Sequence, residues 1–236
     1  MIEATAMSSR TRFFIAALLL TLLSALLCLG ALTLLDHRLD SRAMQHFDSS
    51  IQAGVHHWTS PWLTRLMLTL TWIGSIKIFA TSLTAVLIFL LLRRRHHAAL
   101  LLGLTMVGAF TLNETLKLHF HRARPRVPWA IGDEHTFSFP SGHSLFSFVL
   151  YGTLSYLALR HATTLGRRIS IMLPAMLLIV GIGISRIYLG MHFPSDVIAG
   201  YLTGAIWLYT VMALDTLWRT AEGRTATSST IPNPSP

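Results

Sequence analysis

The sequence predicts an all-α fold, a six-transmembrane-helix bundle with an interfacial amphipathic helix between spans one and two. Three observations carry this. Of the 236 residues, 52% are hydrophobic and only 12% charged, with a mean hydropathy of +0.54, whereas a soluble domain carries about 25% charged residues. The apolar residues fall in stretches long enough to cross a hydrocarbon core, which takes about 20 residues, with polar turns between them. One further stretch, Ser41 to Trp62, repeats apolar residues at three- and four-residue steps, the stripe of an amphipathic helix. With no internal repeat and no second composition regime, residues 1–236 read as a single integral-membrane domain.

In chain order, residues 1–12 are a polar segment carrying Arg10 and Arg12, followed by the apolar run Phe13 to Leu35. That run exceeds the roughly 7–15 residues of a signal-peptide core and has no clear cleavage site after it, so it reads as a retained first span. Cys28, inside this run, is the single cysteine, which rules out an intramolecular disulfide. The stripe of the next helix comprises Met44, Phe47, Ile51, Val55, Trp58 and Trp62. It suits a helix lying in the headgroup layer with its tryptophans at the interface, or a connecting helix packed on the bundle. Leu63 to Leu92 forms the second span and ends in Arg93-Arg94-Arg95-His96-His97. Ala98 to Leu118, Ser141 to Leu159, Ile169 to Ile184 and Pro194 to Trp218 are the third to sixth. Residues 219–236, rich in Ser, Thr and Pro, carry no packing signal and read as a disordered tail.

Charge orients the bundle. The formal net charge is +9, but the cations are scattered between apolar runs rather than gathered in a stripe, which excludes nucleic acid as a partner. The segments assigned to the inside carry Arg10, Arg12, Arg93 to Arg95, Arg160, Arg167, Arg168, Arg219 and Arg224. Those assigned to the outside carry Arg38, Arg42, Arg65, Lys117, Arg122, Arg124, Arg126 and Arg186, most of them in two short segments that also hold paired histidines. Cations recruited to a site are set aside, and the remainder predicts cytoplasmic termini in a cell (inner) membrane.

Those two outer segments carry the chemistry. Ser185 to Asp196 sets His192 four residues before a carboxylate and six after Arg186, and Pro194 marks a helix starting just beyond the histidine. Asp196 in that first turn can fold back onto the imidazole. Lys117 to Pro140 carries Lys117, Arg122, Arg124 and Arg126 and runs into Ser141-Gly142-His143 at the start of the fourth span. The orphan N–H groups and positive dipole end of that helix suit an oxyanion, and Gly142 allows close approach. With six spans the two segments share one face, so one pocket can gather them. Two histidines there permit one to attack and one to protonate a leaving group.

The sequence resembles the type 2 phosphatidic acid phosphatase superfamily, in its integral-membrane lipid phosphatase branch. Lys117 to Pro125 matches K-x(6)-R-P, Pro140 to His143 matches P-S-G-H, and Ser185 to Asp196 matches S-R-x(5)-H-x(3)-D. The resemblance implies a phosphatase acting on a phosphorylated membrane lipid, with His192 as nucleophile, Asp196 orienting it and His143 as proton donor. Lys117, Arg124, Ser141, Gly142 and Arg186 are implied to hold the phosphoryl oxygens, with Arg122 and Arg126 as second-tier candidates. It implies neither metal nor other cofactor, since fixed cations take the place of Mg²⁺. Candidate substrates are undecaprenyl diphosphate, phosphatidylglycerol phosphate, phosphatidic acid, diacylglycerol diphosphate and lipid A phosphates. A lipid phosphotransferase remains open within the family, and outside it a transporter or binding protein for phosphorylated lipids. Oligomeric state is not encoded in these motifs.

Other residues carry less. His56, His57, His119, His121 and His135 lack metal-ligand spacing. Lys77, read as lying near the middle of the second span, calls for a partner or a cavity, since a buried lysine costs about 2.5–3.5 kcal/mol on insertion scales; Glu114 is the candidate partner.

Overall fold

The computed structural model describes residues 41–132 and 136–228, with side chains up to residue 220, together with scattered positions between 11 and 39. The expected first span, Phe13 to Leu35, lies largely outside the described residues, as does His135. Seven helices follow in order: α1 Arg42–His57, α2 Pro61–Ile73, α3 Ile76–Leu92, α4 His96–Phe120, α5 Gly142–Leu159, α6 Leu165–Tyr188 and α7 Pro194–Ser228. No strand occurs among the described residues.

Helix α5 is the central element, packed against α7, α6 and α4. Its Leu145, Val149 and Leu150 are fully buried against Leu102 and Ala109 of α4 and Phe79 of α3. Small residues let the neighbours approach: a Cβ on Gly200 of α7 would lie 2.6 Å from the Ser141 carbonyl oxygen and 2.9 Å from Ser144 Cβ. Only glycine permits that separation, and it holds the N-termini of α5 and α7 side by side. On the same helix, Tyr201 donates to the Ile179 carbonyl of α6 at 2.7 Å, and Trp207 Nε1 to the Thr105 carbonyl of α4 at 2.8 Å. Each bond supplies an aromatic polar group with a partner inside an apolar bundle.

Helices α4, α6 and α7 are each long and apolar enough to cross a membrane. The second predicted span is corrected: Leu63 to Leu92 is not one helix but α2 and α3, bent by 49° at a break between Ile73 and Ile76. Gly74 ends α2, and the Ser75 side chain accepts the Ile78 N–H, so the break has its own cap. Counted as one broken span, the pair brings the spanning helices to four. Helix α5 has 18 residues, with Ser144, Ser147 and Thr153 among its buried positions, so it sits inside the bundle with small polar side chains at its helix contacts.

The break also corrects the reading of Lys77. It lies in the first turn of α3, exposed beside the break, and it makes no ion pair with Glu114. Glu114 instead accepts from Asn113 Nδ2 at 2.8 Å. The helix predicted over Ser41 to Trp62 is shorter: α1 ends at His57, with Ser41 capping the Met44 N–H, and Trp62 belongs to α2. Phe47, Trp58 and Trp62 are exposed, and the fully buried positions are Asp48 and Gln52. At the far end α7 stays helical past Trp218 to Ser228, beyond the point where the sequence composition turns polar.

Candidate active site

A left-handed glycine brings Arg186 and His192 together. Helix α6 ends at Tyr188, and Gly190 (φ 68°) turns the chain so that the N–H groups of Met191 and His192 both donate to the Arg186 carbonyl, at 3.0 and 3.2 Å. Pro194 then opens α7, and in its first turn Asp196 Oδ2 accepts the Phe193 N–H at 2.9 Å. That local bond points the carboxylate back at the imidazole, 3.4 Å from His192 Nδ1. Ser138 reinforces the pair, donating to Asp196 Oδ2 at 2.5 Å with its hydroxyl 3.3 Å from the same ring nitrogen. The arrangement fits a proton on Nδ1 and leaves Nε2 as the acceptor, 3.1 Å from Arg124 Nη1.

His192 is 1% exposed. Burial disfavours its charged form most, the Arg186 and Arg124 cations push the same way, and together they outweigh Asp196, lowering the imidazole from 6.5 to about 4. At neutral pH the ring is uncharged, with Nε2 free of a proton.

Arg124 and Lys117 are held by the loop that crosses the site, and Arg186 by α2. Arg124 donates to the Thr136 carbonyl and hydroxyl at 2.8 and 3.0 Å and to the Met191 carbonyl at 2.9 Å. Lys117 Nζ lies 3.4 Å from the Thr136 hydroxyl, and Arg186 Nη1 donates to the Thr71 hydroxyl at 2.6 Å. Lys117, Arg124, Gly142, His143, Arg186 and His192 line one cavity of about 650 Å³. Its apolar lining includes Leu68, Trp72, Ile76 and Phe110, and Glu114 is the carboxylate among the lining residues. The first turn of α5 enters this cavity without a side-chain cap from Ser141, so its backbone N–H groups present donors there. The α2–α3 break serves the site as well: a Cβ on Gly74 would lie 2.6 Å from Ile182 Cγ2 and 3.1 Å from the His143 ring.

Three predicted residues sit elsewhere. Ser141 is fully buried and does not line the cavity; its N–H donates to the Asp196 carbonyl at 3.0 Å and its hydroxyl accepts from Ser144 at 3.2 Å. Arg122 lies behind the His192–Asp196 pair, donating to Asp196 Oδ1 at 2.5 Å, to Ser195 Oγ at 2.7 Å and to Asp48 Oδ2 at 2.8 Å, with its guanidinium over the Phe193 ring. Arg126 is exposed and does not line the cavity.

Sequence reasoning missed Asp48, Ser138 and Thr136. Asp48 is 1% exposed and, besides Arg122, accepts the Ser195 N–H at 2.9 Å and its hydroxyl at 2.7 Å, so α1 is fastened to the first turn of α7. A signal was present, since a charged residue inside an otherwise apolar helical stripe is costly unless paired. For Ser138 and Thr136, loop residues outside any motif spacing, none existed. His56 stacks on Trp129 at 3.9 Å, and among the described residues no cluster of His, Cys, Asp or Glu is placed to hold a metal ion.

Fold and site together define a class: a helical membrane protein with a buried neutral histidine, backed by a carboxylate, at the head of a cation-lined cavity with an apolar wall. The chain belongs to the PAP2 superfamily, whose family model matches residues 97–219. It is 28% identical over 176 residues to phosphatidylglycerophosphatase B of Bacillus subtilis (strain 168), an alignment covering 74% of this chain and 86% of that protein. Among solved structures it is similar to a transmembrane PAP2-type phosphatidylglycerolphosphate phosphatase from Bacillus subtilis, with TM-score 0.73 and 27% identity over 81% of this chain and 95% of that one. It is also similar to LpxE of Aquifex aeolicus, with TM-score 0.56 and 26% identity over 72% and 95%.

Two outcomes follow from this geometry. Asp48→Ala strands Arg122 and the Ser195 N–H, and is expected to cost about 3–5 kcal/mol of stability. The double variant with Arg122→Ala loses less than the sum of the two single losses, measured by unfolding in detergent. His192 makes stability depend on pH. The unfolded imidazole takes a proton below 6.5, whereas the folded one does so only near 4, so the unfolded state binds more protons in that window and stability falls as pH drops through it. A thermal melt series across this range shows the loss, and it is smaller in His192→Gln.

Proposed function

We propose that this protein is a lipid phosphatase that removes the terminal phosphate of a membrane lipid through a phosphohistidine intermediate. The observation that carries the reading is the cavity itself: Lys117, Arg124, Arg186 and the α5 N-terminus line it together with His192, and Leu68, Trp72, Ile76 and Phe110 give it apolar lining. Such a site takes an amphiphile by its phosphate. His192 Nε2 attacks phosphorus as the bond to the lipid oxygen breaks, and His143 gives that oxygen a proton. Water then attacks the phosphohistidine, with His143 now taking its proton, and phosphate leaves. Asp196 keeps the Nδ1 proton in place throughout and stabilises the positive charge on the ring. The three cations and backbone donors stabilise the charge on the phosphoryl oxygens, the part that Mg²⁺ plays elsewhere, so no metal enters the scheme. Ser141 acts through its backbone on Asp196, and the Gly142 end of the helix meets the phosphate. A transporter would need the cations but not a histidine held neutral with a carboxylate behind it.

The substrate this reading favours is phosphatidylglycerol phosphate, the lipid named for the Bacillus subtilis relatives. A lipid A phosphate is the second reading, supported by the likeness to LpxE. Undecaprenyl diphosphate and phosphatidic acid fit the cation cluster equally but have no such support. The bundle is read with six spans, α1 at the interface, both termini in the cytoplasm and the cavity opening on the outer face, as the distribution of Arg and Lys favours.

Phosphate release from a panel of these lipids in detergent, with EDTA present, tests the proposal. Phosphatidylglycerol phosphate is expected to turn over fastest, and His192→Ala to lower release by at least about 10³-fold, in the range lost when a nucleophile is removed. Undiminished release by that variant, or a strict requirement for added Mg²⁺, contradicts it.

A further inference from the structure

The three helices that deliver catalytic residues converge on a second cavity at their other ends. Helix α5 has 18 residues, a rise of roughly 27 Å, close to the roughly 30 Å hydrocarbon core of a bilayer. Gly142 and His143 begin it at the site already described, and Arg160 follows its last residue. There a cavity of about 620 Å³ is lined by Arg94, Arg95, Arg160, Arg219 and His161, together with Leu90 and Leu157. A bilayer's thickness therefore separates the two cavities.

This second cavity is built around a buried carboxylate. Asp215 of α7, its side chain fully buried, accepts from His97 Nε2 of α4 at 2.6 Å, from the Tyr156 hydroxyl of α5 at 2.6 Å and from Arg219 Nε at 3.1 Å, and it also pairs with Arg160. It is the one carboxylate among the described side chains that touches the cluster. One negative charge is thus shared by two arginines, while Arg94 and Arg95 add two more at the exposed rim. Arg95 lies against His161 at 3.3 Å, a contact that supplies no anion. Arg94 has φ 55°, the left-handed conformation that reverses the chain between α3 and α4 and sets both arginines on that rim. Beside the rim, Leu92 and Leu100 are 78% and 61% exposed. Excess fixed cation at the membrane surface next to exposed leucines is complementary to an anionic head carrying acyl chains.

We propose that this cavity binds the phosphate-bearing headgroup of an anionic phospholipid from the leaflet opposite the catalytic cavity. The headgroup meets Arg94, Arg95 and the outer faces of Arg160 and Arg219, and the acyl chains run along Leu92 and Leu100. Because α4, α5 and α7 each reach from this cavity to the catalytic one, the bound lipid ties together the far ends of the helices that hold Lys117, His143 and Asp196. The inference stands on this cluster alone and does not depend on the reaction assigned to the other cavity.

Native mass spectrometry of the full-length protein in detergent, titrated with phosphatidylglycerol or phosphatidylcholine, tests it. Phosphatidylglycerol is expected to bind tighter than phosphatidylcholine. Arg94→Gln/Arg95→Gln weakens that binding by about tenfold or more, as loss of two interfacial cations should, whereas Lys117→Gln/Arg124→Gln in the catalytic cavity leaves it in place. The single exposed variant Arg94→Gln gives the same comparison, with a smaller change, if the double variant does not fold. Equal binding of the two lipids, or unchanged binding by the rim variants, overturns the proposal. Displacement of the lipid by millimolar inorganic phosphate also overturns it, by assigning the cavity to free phosphate.

Discussion

Asp196 has no exposed surface, and a carboxylate in that position survives only if every lone pair finds a donor. It finds them on separate segments: Ser138 from the crossing loop, Arg122 from the end of α4, the Phe193 N–H and His192 from the α6–α7 turn. Its own carbonyl takes the Ser141 N–H at the start of α5. Through Arg122 the tie extends to Asp48 on α1. The cost of burying one charge is thus what draws these chain segments to a point, and the site forms where they meet. The close approach of α7 to α5 at Gly200 keeps that point rigid, since the separation leaves no room for any side chain.

The chemistry depends on an opposition of charges across one imidazole ring. Asp196 lies toward Nδ1 and favours a proton there, while Arg124 lies at Nε2 and, with Arg186, disfavours a second proton. Burial settles the balance toward the neutral ring. The same cations that keep the His192 ring neutral are those that an incoming phosphate would neutralise, so in the proposed reaction one set of charges would serve both substrate and nucleophile. The apolar wall from Leu68 to Phe110 adds no phosphate chemistry and meets whatever the phosphate is attached to.

Much of this was legible in the sequence because its motifs encode local turns. The spacing of Arg186, His192 and Asp196 reflects a helix end, a left-handed glycine and a helix start, and the structure forms each of them. Helices α4 to α7 were legible from their apolar length. The break in the second span was not, because Gly74 and Ser75 sit inside an unbroken apolar run and the reason for the break, contact with Ile182 and His143, is tertiary. The inward face of α1 was not legible for a similar reason. Its apolar stripe leaves an interfacial helix and a packed connecting helix both open, and the face it turns to the bundle is decided by Asp48, whose partners Arg122 and Ser195 are far away in sequence. Arg122, a second-tier phosphate candidate in the sequence, turns its side chain to the other side of Asp196.

The central claim is that His192 carries the phosphoryl group. Rapid quench of turnover with a ³²P-labelled lipid phosphate, followed by peptide mapping under alkaline conditions that preserve phosphohistidine, tests it directly. The account predicts label on the peptide containing His192, at Nε2 of that ring, and greater accumulation in His143→Ala when the leaving group needs no proton. Label on His143 instead, or turnover without any protein-bound phosphate, would contradict it.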